Sequence, residues 1–564
     1  MNHELPQTQH AVQLLGPNEL ALNTEKPVVE PKGHQILARV EATSLCFSDM
    51  KLLHQFTAHP RKSDVITFLK PEELEEIPSY VPDETPTVPG HETVVRIIAV
   101  GDQAKHHQVG RRYTMQTDYR VLETTAGSNA GFGYTFEGAL QEYVIIDERV
   151  AFDYDLRESM LVQVDDDRCA AGIALLEPWA CVENSLTNPE RQSMRPGGTT
   201  LVIVDRGRQV KGLRESFAPE EPPQKVYAFC ETPCDREAIT DLVPDAVFVD
   251  SIADLADNEL DDIVYFGSQR ETIETFNAKL GFQGIANVVT SGTPIGKPAA
   301  IGVGRIHYGL RRWIGTDSDS AADSYGIIPS TGNFRDNDRC LIVGAGGPMG
   351  QMQVLRAIFA QNPGLSVIAT ELDAARRQVL TEKLRPIAEE HGVPFEVIDP
   401  TSNDPGTGFT HVTLMVPSPE LMAECLDRCG SDAIVNVFAG IPAPTIHPID
   451  VDALIRKRCF VYGTSGSLLM DLKVVWEKVR AGQIHTELSI DAVSGMAGAI
   501  DGLHAVDQRT RAGKIVVYPE LHDLGLIPLA DLPERFPTVA DKLSDGRWNR
   551  DAEEELLRVA APQR

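Results

Sequence analysis

The sequence predicts an α/β protein with a β-rich N-terminal domain followed by two tandem, doubly wound parallel sheets. Three observations predict it. Residues 1–150 hold short stretches in which apolar and polar residues alternate, such as TVVRIIAVG, separated by turn residues. From about residue 196, short apolar runs alternate with helical segments, which is the pattern of a parallel sheet. That second pattern occurs twice along the chain.

The composition limits what such a protein binds. Among 564 residues, 52 Lys and Arg stand against 82 Asp and Glu, a formal charge of −30. A surface this negative repels nucleic acid and anionic membranes, and we expect neither as a partner. The nine cysteines lack the regular spacing of a disulfide framework, and the N-terminus does not resemble a secretory signal. We therefore expect a reduced, cytoplasmic protein.

The repeated pattern indicates a duplicated α/β unit. The segment SMRPGGTTLVIVDRG, which begins at residue 193, resembles NFRDNDRCLIVGAGG, which begins 140 residues later. Near the other end of each copy, WIGTDS, from residue 313, resembles VYGTSG, which begins 148 residues later. The predicted divisions are 1–195 for the β-rich domain, 196–332 and 333–479 for the two copies, and 525–564 for a C-terminal extension.

The second copy carries a glycine-rich turn, LIVGAGGPMGQ, between a predicted strand and a predicted helix. Backbone without side chains lets a pyrophosphate approach a helix N-terminus, so the turn predicts a Rossmann-like dinucleotide site. The glycine repeat fits two registers, starting at Gly344 or at Ala345, and which glycine meets the phosphates stays open. The predicted cofactor contacts in this turn are Gly344, Gly346, Gly347, Pro348, Met349 and Gly350.

Glu371 ends the next predicted strand, SVIAT, 24 residues after Gly347. An acid near this spacing binds the adenosine ribose hydroxyls and repels a 2′-phosphate, so we predict NAD rather than NADP. Asp373 is an alternative for this role, and Arg376 is placed to flank the adenine. The alternative to ribose binding is that Glu371 caps the following helix.

The first copy lacks these glycines. At the matching points it has Asp205, Arg206, Arg208 and Lys211, whose side chains would fill the space that a pyrophosphate needs. We therefore predict that the first copy is degenerate and has a structural or dimerising role. Binding of some other anion by its basic residues is the alternative.

A possible metal site lies in the β-rich domain. Cys46, His91 and either Glu92 or Glu177 offer one thiolate, one imidazole and one carboxylate. Three mixed protein ligands that leave one position open are typical of catalytic zinc, which polarises an alcohol oxygen so that hydride can leave the carbon. The spacing alone is not diagnostic, because an isolated cysteine is more often a buried apolar residue.

The motifs CFSD, PGHE, LLEP and VGAGGPMG occur in this order and, with the closing run GKIVVYP, resemble the medium-chain zinc alcohol dehydrogenase family. The segments GPMGQM and AVSGMAGAIDGLHAV are most similar to its sorbitol-dehydrogenase-like branch, which includes L-sorbose-1-phosphate reductases. The resemblance covers roughly residues 10–195 and 335–520. It implies a GroES-like catalytic domain, completed by about 480–524, together with a Rossmann domain.

The resemblance also implies roles for individual residues. Cys46, His91 and Glu92 match the catalytic zinc ligands, and Glu177 matches the glutamate beside the metal. Ser48 matches the hydroxyl of the proton relay. Independently of the resemblance, Asp49 is a carboxylate three residues after Cys46 that can orient His91. The implied enzyme is an NAD-linked dehydrogenase of a sugar alcohol, or reductase of a ketose, that works as a dimer or tetramer.

The sequence departs from the family in ways that leave other functions open. Residues 113–143 contain no cysteine, so we expect no structural zinc. The stretch between Cys46 and His91 is long, and there Arg61 and Lys62 are candidate contacts for a substrate phosphate. The alternatives are a zinc-free NAD(P)H reductase of the quinone type and a non-catalytic assembly or sensor protein.

Overall fold

The computed structural model describes residues 5–561 except 64–65, 68, 121, 123, 126–128 and 231. The chain divides into two compact units. The first unit is Met1–Cys181 together with Gly466–Arg564, and the second is Val182–Ser465. Both α/β copies therefore belong to one unit, while the two ends of the chain share the other.

The N-terminal part of the first unit consists of short strands and helices. Its strands are β1 Thr8–Gly16, β2 Glu19–Pro27, β3 Gln35–Ser44, β4 Glu92–Val100, β5 Arg112–Met115, β6 Asp118–Tyr119, β7 Ala130–Gly131, β8 Tyr143–Asp147, β9 Phe152–Asp153, β10 Glu158–Ser159 and β11 Leu161–Val164. Its helices are α1 Phe47–Gln55, α2 Pro60–Ser63, α3 Pro71–Glu75, α4 Glu148–Ala151, α5 Ala170–Ala174 and α6 Leu176–Thr187.

The second unit alternates strands and helices. Its strands are β12 Thr199–Val204, β13 Lys225–Cys230, β14 Val247–Phe248, β15 Leu260–Phe266, β16 Leu280–Val289, β17 Ala299–Ile301, β18 Arg312–Thr316, β19 Arg339–Val343, β20 Ser366–Thr370, β21 Phe395–Ile398, β22 Phe409–Leu414, β23 Cys429–Val437, β24 His447–Ile449 and β25 Phe460–Tyr462. Its helices are α7 Pro233–Leu242, α8 Arg270–Asn277, α9 Gly304–Tyr308, α10 Ala321–Tyr325, α11 Pro348–Phe359, α12 Ala374–Glu390, α13 Pro419–Arg428 and α14 Val451–Lys457.

The chain then returns to the first unit. The elements of this return are α15 Leu469–Arg480, β26 Ile490–Ser494, α16 Ala499–Asp507, β27 Lys514–Val517, β28 Ile527–Pro528, α17 Leu532–Arg535, α18 Pro537–Ala540 and α19 Arg550–Ala560. The divisions after residues 181 and 465 differ from the predicted 195 and 479. The second boundary lies at residue 465, before the predicted residue 479, because α15 packs on β11 and so belongs to the first unit.

The main sheet of the first unit joins the two ends of the chain. Its strand order is β11–β5–β4–β3–β27–β26–β28, and β8 also pairs with β3. On one side of β3, Ser44 is paired with Glu92 at the start of β4. On its other side, Ser44 is paired with Val516 of β27. The end of β3 and the starts of β4 and β27 therefore lie together at one edge of the sheet.

The second unit is built on a twelve-stranded sheet in the order β14–β13–β12–β15–β16–β18–β25–β23–β22–β19–β20–β21. Each half is parallel and, numbered from its first strand, has the 3-2-1-4-5-6 order of a Rossmann fold. The halves join where β18 pairs antiparallel with β25. The predicted fold class, with two tandem Rossmann-like sheets, is confirmed. No helix among the described residues has the length and apolar character needed to cross a bilayer.

Candidate active site

Three candidate ligands meet at the edge where β3 ends and β4 begins. Cys46 follows β3 as the N-cap of α1, and His91 and Glu92 stand at the start of β4. One ligand atom from each of the three side chains lies within 4.8 Å of the others. His91 and Glu92 are buried, whereas Cys46 is partly exposed. The structure thus brings together three of the four side chains considered as metal ligands.

The carboxylate of Glu92 has one satisfied and one unsatisfied oxygen. Its Oε1 accepts a hydrogen bond from Lys514 Nζ, at the start of β27. Its Oε2 is buried and has no hydrogen-bond partner. A buried polar atom without a partner costs free energy, which a bound cation would offset. Because Glu92 belongs to the cluster with Cys46 and His91, the three side chains fit a zinc ion.

Asp49 fixes the orientation of His91. Its Oδ1 accepts a hydrogen bond from His91 Nδ1 at 3.1 Å. The carboxylate also accepts from the backbone N–H of Cys46 at 3.0 Å and of Gly90 at 3.3 Å. Burial acts to raise the pKa of Asp49, but His91 and these hydrogen bonds hold it below its ordinary value. With Nδ1 engaged, Nε2 is the nitrogen left for a metal, as predicted for an oriented ligand.

Ser48 lies beside the cluster. The thiol of Cys46 donates a hydrogen bond to Ser48 Oγ over 3.5 Å. Ser48 is half-buried, so its hydroxyl contacts both the ligand cluster and solvent. A hydroxyl in this position can pass a proton from the cluster to water.

Glu177, in the first turn of α6, is not a member of the three-residue cluster. Its Oε1 accepts a hydrogen bond from Cys181 Sγ at 3.7 Å. Burial, with added repulsion from the charges of Glu92 and Asp118, raises the pKa of Glu177 to about 7. Glu177 is therefore a neighbour of the cluster that exchanges a proton near neutral pH.

Sequence reasoning missed Lys514. Its side chain is 4% exposed, and the side chain of its partner Glu92 is fully buried. Burial acts to lower the pKa of Lys514, but Glu92 and the nearby Cys46 raise it above its ordinary value. One signal was available, because a lysine opens the otherwise apolar run KIVVY. A charge at the start of a buried strand needs a partner.

Lys62 does not fit its predicted role. Its side chain is fully buried, and Nζ donates to the backbone carbonyl groups of Val81 and Thr85. An ammonium group enclosed in this way cannot contact a substrate. The prediction that Lys62 binds a phosphate is wrong, because Lys62 instead secures the long segment between Cys46 and His91.

Arg61 is placed differently. Its guanidinium pairs with Asp118 and lies 5.1 Å from the centre of the Tyr134 ring. The Tyr134 ring is in turn 5.7 Å from the ring of His91. Arg61 and His91 therefore both lie next to the ring of Tyr134.

The glycine-rich turn joins β19 to α11. Gly344 has a φ of 78°, which favours glycine. A Cβ on Gly350 would lie 2.6 Å from Ala345 O, so this glycine allows the helix to pack closely on the turn. A Cβ on Gly347, the N-cap of α11, would meet nothing within 4 Å. The open approach to the backbone is therefore at Gly347.

Glu371 contacts the same turn. Its carboxylate accepts hydrogen bonds from the backbone N–H of Gly346 and of Asp373, both at 3.0 Å. The N-cap of α12 is Asp373, which accepts from the N–H of Arg376 at 2.8 Å. The capping role considered for Glu371 thus belongs to Asp373.

The equivalent turn of the first copy is filled by its own side chains. Asp205 accepts hydrogen bonds from Tyr265 Oη at 2.6 Å and from Ser268 N at 3.2 Å. Arg208 donates to Thr290 O at 2.8 Å and to Ser268 Oγ at 3.0 Å. These contacts confirm that the first Rossmann-like sheet is degenerate at its nucleotide turn.

Comparison with known proteins agrees with this geometry. Residues 32–155, which include Cys46 and His91, match the alcohol dehydrogenase GroES-like domain. The chain is also 24% identical over 357 residues to the L-sorbose 1-phosphate reductase of Klebsiella pneumoniae, covering 56% of this chain and 77% of that protein. The chain contains an alcohol dehydrogenase GroES-like domain.

Two other similar proteins match over more of the chain. The mannitol-1-phosphate 5-dehydrogenase of Aliivibrio fischeri is 22% identical over 376 residues, covering 61% of this chain and 82% of that protein. The crystal structure of 2R,3R-butanediol dehydrogenase from Bacillus subtilis covers 91% of this chain and all of its own, with a TM-score of 0.50 and 14% identity. At that identity the structural likeness concerns the fold.

Proposed function

We propose that this medium-chain dehydrogenase uses zinc and NAD(H) to interconvert a secondary alcohol and a ketone of a polyol or sugar. The observation that carries the proposal is the cluster of Cys46, His91 and Glu92. Its buried, unpartnered carboxylate oxygen supports a bound cation. That cluster also counts against a zinc-free quinone-type reductase and against a non-catalytic role.

Each residue of the site has a proposed part in the reaction. Zinc and NAD, when bound, would supply polarisation of the reacting oxygen and a hydride acceptor. Cys46, His91 and Glu92 would hold the metal, and Asp49 would keep the His91 ring in place. Ser48 would take the proton of the alcohol and pass it to solvent.

We propose that the substrate carries a phosphate. Two similar proteins are named as acting on sugar phosphates, an L-sorbose 1-phosphate reductase and a mannitol-1-phosphate 5-dehydrogenase. In this chain the supporting feature is Arg61, whose guanidinium lies against Tyr134 beside the ligand cluster. A guanidinium has five N–H donors, so Arg61 can bind a phosphate while it stays paired with Asp118.

The test is turnover with NAD(H) across sugar alcohols, their phosphates and the matching ketoses, with and without a zinc chelator. We expect chelator-sensitive turnover that is fastest with a phosphorylated member. Turnover that survives complete metal removal would refute the zinc mechanism. Absence of turnover in protein shown to hold zinc and NAD would refute the substrate class.

Replacing Glu371 tests the choice of cofactor. We expect Glu371→Ala to lower the ratio of kcat/KM with NAD to kcat/KM with NADP by about tenfold to a hundredfold. The reason is the loss of a charged hydrogen-bond acceptor, worth about 1.5–3 kcal/mol, for the ribose hydroxyls. Asp373→Asn is the matched control, since it keeps the Glu371 carboxylate. If the control shifts the ratio and Glu371→Ala does not, the ribose contact belongs to Asp373.

We also propose that the two half-sheets derive from one duplicated unit, of which the second half alone binds nucleotide. Hydrogen exchange distinguishes the two turns. We expect NADH to slow exchange at residues 344–350 and to leave 205–212 unchanged, because the side chains of Asp205 and Arg208 fill the latter turn. Slowed exchange at both turns would mean that the first copy still binds a ligand.

The state of the cysteines bears on the cellular compartment. Eight described cysteines, Cys46, Cys169, Cys181, Cys230, Cys340, Cys425, Cys429 and Cys459, are free thiols. Free thiols in this number are typical of a reducing compartment, so we propose that the protein works in the cytoplasm.

A further inference from the structure

The two half-sheets of the second unit meet through equivalent strands. β18 and β25 are each the last strand of their half, and the similar segments WIGTDS and VYGTSG begin at the second residue of each strand. They pair antiparallel, and the residues paired are Trp313 and Val461. These two residues stand at the same place in the two similar segments, so each strand is paired with its own counterpart.

A second strand pair repeats this relation. β17 and β24 form a separate two-stranded antiparallel sheet. Its central pair is Ala300 with Pro448, which are again 148 residues apart, as are Trp313 and Val461. Ala299 pairs with Ile449, and Ile301 pairs with His447. At the 148-residue offset, Ala299 thus pairs with the counterpart of Ile301, and Ile301 pairs with the counterpart of Ala299.

This exchange of partners is the property of a two-fold axis. When two identical surfaces meet about such an axis, residue i of the first surface contacts residue j of the second. Residue j of the first surface then contacts residue i of the second. Two tandem copies that packed head to tail would instead join different strands. The junction therefore has the arrangement of a symmetric dimer interface, although both sides belong to one chain.

The junction is also buried and apolar. Trp313, Val461, Ala299, Ile301 and Ile449 are each at most 1% exposed. The two hydrophobic clusters that cover this sheet each contain side chains from both halves. Continuous cores of this kind are found in obligate subunit interfaces rather than in transient ones.

We propose that residues 196–332 serve as a built-in partner subunit for the nucleotide-binding copy. The first copy keeps the surface that pairs with the second, and it has filled its own nucleotide turn. One chain thus contains the equivalent of a dimer of nucleotide domains with a single functional cofactor turn. The self-pairing edge formed by β18 and β25 is used within the chain and is closed to a second chain.

A dimer or tetramer of this protein, as predicted from the sequence, must form without the edges of β18 and β25, because these edges are already paired within the chain. The outer edges of the twelve-stranded sheet are β14 and β21, which span Val247–Phe248 and Phe395–Ile398. Such short edge strands are poor templates for pairing with another chain.

Disulfide trapping in the full chain tests the proposal. Cα atoms of directly opposed residues in an antiparallel pair lie about 4.5–5.5 Å apart, which a disulfide can bridge. We therefore expect Ala300→Cys/Pro448→Cys to form a disulfide within one chain on mild oxidation. Isotope-labelled and unlabelled protein are mixed before oxidation, so that a bond between chains gives cross-linked peptides of mixed label.

The expected result is a cross-linked peptide pair of uniform label and a monomer band under non-reducing conditions. The two single variants are the matched controls and should give no such cross-linked peptide pair. Disulfide-linked dimers of mixed label would overturn the proposal, because the interface would then lie between chains. Failure of the folded double variant to cross-link would overturn it as well, because the two strands would not be opposed.

A measurement on the unmodified protein covers the case in which the double variant does not fold. Hydrogen exchange is compared across a wide range of protein concentrations at Arg312–Thr316 and Phe460–Tyr462. We expect the same protection at every concentration, because the pairing is within one chain. Protection that falls on dilution would overturn the proposal.

Discussion

Cys46→Ala should abolish metal binding and turnover while leaving the fold intact. The thiolate is one of three ligands, and two remaining ligands hold a zinc ion poorly. A catalytic metal supplies several kcal/mol of charge stabilisation, and each 1.4 kcal/mol or so is tenfold in rate. We therefore expect kcat/KM to fall by about a thousandfold or more. Cys46 is partly exposed, so its truncation leaves no large cavity.

The measurement pairs metal analysis of the purified protein with steady-state kinetics and a thermal melt. Cys230→Ala is the matched control, since Cys230 ends β13 in the degenerate copy and should keep both zinc and activity. A Cys46→Ala protein with full metal content and undiminished turnover would show that the thiolate is not a ligand. A collapsed melting curve would show that Cys46 has a structural role instead.

Lys514→Met should destabilise the protein, and by more without zinc than with it. Lys514 and Glu92 form a buried ion pair, and removal of one partner leaves an uncompensated charge. We expect a loss of about 3–5 kcal/mol in the free energy of unfolding of metal-free protein. With zinc present, the metal would supply the positive charge that Glu92 has lost, and the loss should be smaller. Added zinc should therefore raise the melting temperature of the variant more than that of the wild type.

Lys514→Arg is the control for this experiment, because it keeps the positive charge at nearly the same place. It should retain most of the stability in both conditions. Thermal melts with zinc and with chelator, for the wild type and both variants, give the comparison. An equal loss for Lys514→Met in both conditions would show that the lysine and the metal do not share Glu92.

The parts of the site that were predictable are those encoded locally. Gly344 and Gly350 occupy a turn whose conformation and packing require glycine, so the turn was readable from residue types. Cys46 and His91 were readable because each stands next to a strand end within a family motif. The parallel half-sheets followed from apolar runs, since a strand covered on both faces has no polar positions.

Contacts between distant parts of the chain were not predictable in this way. Lys514 meets Glu92 across a separation of 422 residues, which no local pattern records. Lys62 was predicted as a candidate phosphate contact because sequence alone does not show where a long side chain ends. The two copies were recognisable from their similarity, but similarity does not reveal which strands of the copies pair. Strand pairing depends on how the edges meet in space.

The place of β27 has a consequence for synthesis on the ribosome. Strand β3 pairs with Val516 and Val517 of β27, which are made long after it. The second unit, Val182–Ser465, has a self-contained sheet and is released in full before β27 appears. Throughout that interval the end of β3 at Thr43 and Ser44, which β8 does not cover, is an open strand edge, and such an edge invites mispairing. The yield of folded enzyme in a cell therefore depends on protection of β3 while the rest of the chain is translated.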